Sequence, residues 1–252
     1  MKIEVFAFVA GIIVFFAMLG AFYFLLDSKS LNANSGTLTP TPVPDKLGVL
    51  GADEKTIPVP SKPPVMQQQA IPTMAKPGLP EMSINPKKKY TAVLETTEGD
   101  ITIDLYADKA PQTVNNFIHL ARTDFYDGIT FHRIIKDFMI QSGDPKGDGT
   151  GGPGYTVPAE INSDLKHEKG TVSMARLPDS VNPKKDSSGS QFFIMHKTTP
   201  QLDGEYTIFG KVSDGLDVVD KIATEEVNES ASGEMSKPVN PPKIQNIRII
   251  ED

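Results

Sequence analysis

The sequence predicts a mainly β protein: an eight-stranded antiparallel closed barrel capped by two α-helices, preceded by one transmembrane helix and a Pro-rich linker. Three observations predict it. Beyond residue 87 the chain holds about eight short β-rich runs separated by turn residues, together with two segments of helical periodicity. Between residues 27 and 86 lie eleven of the 21 prolines. Ahead of them, Val5 to Leu26 is a run of 22 residues without a charge.

That first run, "VFAFVAGIIVFFAMLGAFYFLL", suits a bilayer, whose core takes about 20 apolar residues as a helix. A cleaved signal peptide has an apolar region of about 7–15 residues ending in a small-x-small site. The run is longer than that, and "DSKSLNANSG" after it offers only a poor site around Ala33. Residues 1–26 are therefore read as an uncleaved single-pass anchor. Lys2 and the α-amino group precede the helix with Glu4, and Asp27 and Lys29 follow it. The positive-inside balance is nearly level and tips towards an inside N-terminus, with the remainder extracytoplasmic.

Residues 27–86 contain "TPTPVPD", "IPVPSKPP" and "MAKPGLPE". Proline lacks an N–H and disfavours helix at the residue before it, so neither helical nor strand periodicity survives. The segment reads as a disordered, semi-extended tether with a reach of about 190 Å if polyproline-like throughout. A proline-rich ligand for a partner domain is the sharper alternative, and no clean repeat supports it.

Residues 87–252 form the folded domain. "KYTAVLETTEGDITIDLYAD" reads as two strands about a turn at Glu98–Gly99. "APQTVNNFIHLARTDFY" is a helix: Pro111 suits its first turn, and Val114, Phe117, Ile118 and Ala121 share one face. Further strands are expected at 129–135, 139–142, 171–176, 191–195, 206–212 and 243–251, with a second helix at 215–224. Few helices and many short antiparallel runs are the pattern of a barrel with helices over its ends.

Several function classes are disfavoured. Residues 1–86 hold six basic and six acidic residues, so the whole net charge of −7 falls on the domain, which argues against nucleic acid. With no cysteine in the chain, disulfides, thiolate chemistry and cysteine metal sites are excluded. "GDGTGG" matches G-x-G-x-x-G, but Pro153, Gly154 and Pro158 follow where a dinucleotide loop must open a helix. His119, His132, His167 and His196 show no metal spacing, and G-x-S-x-G is absent.

One stretch carries the functional signal. In "FHRIIKDFMIQSGD", a three-residue loop at 136–138 sets Ile135 opposite Met139 and Arg133 opposite Gln141. Side chains alternate along a strand, so Phe131, Arg133, Met139 and Gln141 share one face, and His132, Ile134 and Ile140 the other. The second is the natural core face. The first sets a permanent cation and an amide among aromatic and thioether groups. A surface ion pair is the plain alternative for Arg133; the apolar company and Gln141 favour a site.

With "GTVSMA", "GSQFFIM" and "LDGEYTIFGKV", this stretch resembles the cyclophilins, peptidyl-prolyl cis-trans isomerases, over Lys89 to Ile250, about two-thirds of the chain. The resemblance implies an eight-stranded antiparallel barrel capped by two helices, with prokaryotic-type features in the long loop before Gly189. It makes Arg133 the catalytic arginine and Gln141 the hydrogen-bonding glutamine, able either to grip the carbonyl before proline or to orient Arg133. It puts Phe138, Met139, Phe193 and Leu202 in a proline pocket, with Ala175 and Gln191 lining the groove. Three positions depart from the family: Arg176 replaces the usual asparagine, Gln201 a frequent tryptophan and Tyr206 a frequent histidine. Gln201 implies weak or no cyclosporin binding; Tyr206 still offers an aromatic wall.

The chemistry suits these residues. Rotating an X–Pro bond crosses a barrier of about 20 kcal/mol set by amide resonance. In the twisted state the prolyl nitrogen regains its lone pair, and a guanidinium, always protonated, can donate to it. A contact stronger in the transition state than in either isomer is what accelerates the step. The role requires Arg133 to face a cleft and not to be locked to an acidic neighbour. No metal or cofactor is implied, and the expected partners are proline-containing polypeptides, met by a monomeric domain tethered to a membrane. The competing class is a peptide-binding module with little turnover, favoured by Arg176, Gln201 and Tyr206.

Overall fold

The computed structural model of the protein describes residues 78–187 and 189–252. The anchor expected over 1–26 and the linker up to residue 77 lie outside the described residues. No helix among the described residues is long and apolar enough to cross a membrane.

Alternation builds the first hairpin. In β1 (Tyr90–Thr96), Tyr90, Ala92 and Leu94 turn into the core, and in β2 (Gly99–Leu105) Ile101, Ile103 and Leu105 meet them. Helix α1 (Pro111–Arg122) buries Val114, Phe117, Ile118 and Ala121, the face its periodicity predicts. Its first turn has no side-chain cap of its own. Instead the carboxylate of Glu160 accepts from the backbone N–H groups of Gln112 at 3.0 Å and Thr113 at 2.8 Å, satisfying two orphan donors at the positive end of the helix.

The chain continues through β3 (Arg133–Ile135), β4 (Met139–Ser142), β5 (Thr171–Met174), β6 (Phe192–Met195), a 3₁₀ turn (Pro200–Leu202) and β7 (Ile208–Asp214). Helix α2 (Leu216–Ala223), the hairpin β8 (Val227–Glu229) and β9 (Met235–Pro238), and β10 (Ile244–Glu251) complete it. The predicted helices and long strands are present with trimmed ends. The β8–β9 hairpin is absent from the sequence prediction: its short, polar strands, "VNE" and "MSKP", carry no apolar alternation.

Eight strands form one antiparallel sheet in the order β10-β1-β2-β7-β5-β6-β4-β3, and β8 and β9 pair separately. The expectation of a closed barrel is corrected here. Edge strands β10 and β3 share no ladder. They meet through the single bridge Thr130–Lys243 and a few irregular bonds, including Phe131 N–H to the Pro242 carbonyl at 2.8 Å. Pro241 and Pro242 have no N–H to offer, so a ladder cannot extend through them. The result is a curled sheet around an apolar core.

Packing also begins earlier than the composition break suggests. Ile84 is buried in the core, Ser83 N–H and Oγ donate to Asn115 Oδ1 on α1 at 2.8 and 3.1 Å, and Asn85 N–H donates to Tyr90 Oη at 2.9 Å. Residues 83–85, counted with the linker by composition, are thus bonded to the domain.

Phe117 stands at the centre of the core, its ring 5.2 Å from Tyr126, 5.3 Å from Phe209 and 5.7 Å from Phe192. Removing it leaves a cavity that close-packed neighbours cannot fill. Phe117→Ala is expected to destabilise the domain by about 3–5 kcal/mol, read as a lowered urea midpoint at unchanged m-value.

Candidate active site

The hairpin β3–β4 has the expected register: Ile135 pairs with Met139, Ile134 with Ile140 and Arg133 with Gln141. The loop Lys136–Phe138 closes because Asp137 adopts φ +60°, a left-handed conformation that aspartate tolerates better than most residues. Phe138 N–H donates to the Ile135 carbonyl at 3.1 Å, and Asp137 N–H donates to His196 Nδ1 at 2.9 Å. The other nitrogen of His196 lies 3.3 Å from Asp220 on α2, so this histidine ties the loop tip to the helix.

Alternation then separates two faces. Ile134 and Ile140 enter the main core, whereas Met139 joins Ala175, Phe193 and Met195 in a second apolar cluster, with Ile135, Phe138, Leu202 and Tyr206 packed against it. Strand β6, "FFIM", is buried throughout because Phe192 and Ile194 face the core while Phe193 and Met195 face this cluster. One expectation fails. Phe131 is fully buried in the main core, not beside Arg133, because β3 starts at residue 133 and its alternation does not reach Phe131.

Phe138, Met139, Ala175, Phe193, Leu202 and Tyr206 are thus brought together as one apolar cluster, with Met139, Ala175 and Phe193 buried and Phe138, Leu202 and Tyr206 partly exposed. Tyr206 stands perpendicular to Phe193 at 5.4 Å, and the His167 ring stacks on Phe193 at 6.2 Å. Arg176 is not a free cation in the groove. Its Nε donates to the Glu205 carbonyl at 2.8 Å, its Nη2 lies 3.2 Å from the Glu205 carboxylate, and its guanidinium sits 4.8 Å over the Tyr206 ring. It braces the wall that Tyr206 forms. Gln201, on the 3₁₀ turn beside Leu202, is exposed.

Beside this surface runs a directional chain of hydrogen bonds. Arg133 Nη1 donates to Gln141 Oε1 at 3.3 Å, Gln141 Nε2 donates to Gln191 Oε1 at 3.0 Å, and Gln191 Nε2 donates to the carbonyls of Gly149 and Gly151 at 3.0 and 2.8 Å. The Gly-rich loop therefore has a structural office. Buried Asp144 accepts from the N–H groups of Lys146, Asp148 and Gly149, which folds the loop and aims its carbonyls at Gln191. Gly151 is required there because a Cβ would run into the Asp144 carboxylate. Gln141 is thus bonded at both ends of its amide, to Arg133 and to Gln191.

Arg133 brings the main correction. Glu234, on the β8–β9 hairpin, accepts from Nε at 2.7 Å and from Nη2 at 2.8 Å, so the requirement that Arg133 not be locked to an acidic neighbour fails along that edge of the guanidinium and is met only at Nη1. Burial works against ionising Glu234, but the hydrogen bonds and charge of Arg133, with a bond from Ser236, outweigh it and hold the carboxyl below the ordinary glutamate value. Nη1 remains directed towards the cluster, its contacts being Gln141 Oε1 at 3.3 Å and the more distant Met139 sulfur at 3.9 Å. Sequence reasoning missed Glu234 because it lies 101 residues from Arg133 in a segment without periodicity. It also missed Met195, the last residue of "GSQFFIM", which joins the cluster, and His167, which stacks on Phe193 from outside the quoted motifs. An open depression of about 290 Å³ bordered by Phe125, Thr130, Asp144 and Lys146 shares none of the groove residues. Among the described residues no group of three or more His, Cys, Asp or Glu is arranged to hold a metal ion.

Residues 91–249 match the family model "Cyclophilin type peptidyl-prolyl cis-trans isomerase/CLD". The chain is 44% identical over 167 residues to the peptidyl-prolyl cis-trans isomerase cypE of Dictyostelium discoideum, covering 65% of this chain and 96% of that protein. It is 43% identical over 146 residues to a peptidyl-prolyl cis-trans isomerase of Helicobacter pylori, covering 57% and 86%. Against "Peptidyl-prolyl cis-trans isomerase-like 2" of Rhizopus delemar it is 44% identical over 170 residues, 66% of this chain but only 30% of that longer relative. A crystal structure of a cyclophilin-type isomerase from Cryptosporidium parvum superposes with a TM-score of 0.58 at 33% identity, over 65% of this chain and 99% of that one. The same protein crystallised in the presence of the dipeptide Ala-Pro gives a TM-score of 0.57.

Two histidines near the site make stability depend on pH. Burial lowers the pKa of His132, against the opposing pull of Asp144, and of His167, where the bond to Asp203 opposes burial without cancelling it. An unfolded histidine takes up its proton near pH 6.5. Both folded pKa values are depressed, so the contribution is complete above about pH 6.5 and declines as pH falls below it. Urea midpoints are expected to be lower at pH 5 than at pH 7.5, and His132→Asn should narrow the difference.

Proposed function

The chain belongs to the cyclophilin-type peptidyl-prolyl cis-trans isomerase family, and on that premise we propose that it rotates X–Pro bonds of unfolded or exported polypeptides at the groove over Met139 and Phe193. One observation carries the placement: the Arg133–Gln141 pair stands on the same face of β3–β4 as the apolar cluster. Phe138, Met139, Ala175, Phe193, Leu202 and Tyr206 receive the proline ring by excluding water. Arg133 is the catalytic residue, and Gln141 and Gln191 orient it.

In this reading the substrate enters with its prolyl nitrogen near Nη1. As the bond twists, conjugation is lost and the nitrogen becomes pyramidal. An N–H of Nη1 then donates to a lone pair that exists in neither planar isomer, which stabilises the twisted state selectively. The dry surroundings strengthen that contact. A thousandfold acceleration requires about 4 kcal/mol, within reach of one charged hydrogen bond and a preformed pocket. No nucleophile, proton transfer or cofactor takes part.

The wider proposal is a prokaryotic-type form held at a membrane by residues 1–26 and spaced from it by the proline-rich segment, with the domain outside the cytoplasm. The uncharged 22-residue run and the eleven prolines support it. Exposed Gln201, standing where the family often has tryptophan, supports weak or no binding of cyclosporin. The Glu234 pair favours a second reading, a peptide-binding module with little turnover, because it offsets the charge of Arg133.

Arg133→Ala is expected to lower kcat/KM on a proline peptide at least about tenfold while the domain remains folded. An undiminished rate counts against the mechanism, and normal peptide binding with negligible turnover by the unaltered chain selects the binding module. Cyclosporin titrated into the same assay should inhibit weakly. For location, external protease applied to intact cells should digest the domain; protection until lysis would place it inside.

A further inference from the structure

We propose that Glu234 is a positioning residue for the isomerase reaction: it clamps the far edge of the Arg133 guanidinium so that Nη1 is held towards the groove. The inference rests on the reading of Arg133 as the catalytic cation.

An arginine side chain has many rotamers, and a cation that must meet a nitrogen lone pair at one instant of a rotation gains from losing that freedom beforehand. The guanidinium is planar, with five N–H donors in a fixed fork. Glu234 takes two of them, one on Nε and one on Nη2, at 2.7 and 2.8 Å, the short distances of charge-assisted bonds. Two parallel bonds along one edge fix the plane and forbid its rotation. The pair is only partly solvent-exposed, the side chains retaining 26% and 30% of their surface, so water competes less for it than on an open surface.

What the clamp leaves over matters as much. Nη1 is contacted by Gln141 Oε1 at 3.3 Å and by the Met139 sulfur at 3.9 Å, both long. A substrate atom offering a better acceptor displaces these cheaply. A brake on the enzyme would cover Nη1 or fill the groove; Glu234 does neither and bonds the opposite edge.

The hairpin is arranged to hold this carboxylate. Its turn closes on the backbone of Glu234 from both sides: Ser230 N–H donates to the Glu234 carbonyl at 2.8 Å, and Glu234 N–H donates to Ser230 Oγ at 3.3 Å. Gly233 supplies the left-handed step at φ +81° and donates to the Ser230 carbonyl at 2.9 Å. Strand β9 packs against β3, the strand that carries Arg133, while belonging to no part of the eight-stranded sheet.

The test uses the full 252-residue chain and a proline peptide whose cis–trans exchange is followed by NMR, so that kcat and KM are obtained separately. Glu234→Ala is expected to lower kcat about tenfold with KM within about twofold, and to erase the resolved Arg133 Nε–H resonance that a clamped guanidinium gives. Glu234→Gln, which keeps the volume and one acceptor oxygen, should recover part of the loss; it also serves if the alanine variant folds poorly, as judged by urea midpoint. In an Arg133→Ala background Glu234→Ala should have no further effect. If Arg133→Ala is impaired while Glu234→Ala is not, the positioning role is wrong and the catalytic arginine stands. If Arg133→Ala is unimpaired, the catalytic reading itself fails. A faster Glu234→Ala enzyme, or losses that add in the double variant, overturns the proposal as well.

Discussion

The period-two alternation of β3 and β4 is the constraint on which the site depends. Because Ile134 and Ile140 are claimed by the main core, their neighbours Arg133, Met139 and Gln141 are forced to the opposite face. A register slip of one residue would bury the guanidinium in hydrocarbon and expose two isoleucines, a change no partner in the core could compensate. The apolar demand of the core therefore aims the polar groups, and the loop through Asp137, pinned by His196, sets which residues face each other.

Around that hairpin the polar groups form a continuous relay from Asp144 through the Gly-rich loop to Gln191, Gln141, Arg133 and Glu234. Each amide has its orientation dictated by its neighbour, since one end must donate and the other accept. Such a network is costly when half satisfied and rigid when complete. The two bonds to Glu234, at 2.7 and 2.8 Å, are shorter than the Nη1 bond to Gln141 at 3.3 Å, so the guanidinium is held tightly on its Glu234 edge and loosely at Nη1. Rigidity behind and weak contacts in front are the properties a preorganised donor needs.

The departures at Arg176 and Tyr206 follow the same economy of partners. Arg176 supplies its charge to Glu205 and its flat face to Tyr206, and so acts on the groove through the wall it supports. His167 does likewise beneath Phe193, its Nδ1 engaged with Asp203 and its ring stacked on the phenyl group.

By itself the sequence determined the hairpin register and the helix face of α1, through alternation along a strand and 3.6-residue periodicity. The grouping of Phe138, Met139, Ala175, Phe193, Leu202 and Tyr206 was legible only through the resemblance to a family, because no local rule joins residues that far apart in the chain. Tertiary structure alone decided that the sheet curls without a ladder between β10 and β3, because closure depends on where Pro241 and Pro242 fall relative to Thr130, 111 residues back. It decided that Phe131 belongs to the core, because alternation holds only inside a strand and β3 begins two residues later. It decided the ionic partner of Arg133 as well. Charge complementarity acts through space, and nothing in the spacing of two residues 101 positions apart tells that a short polar hairpin brings them within 3 Å.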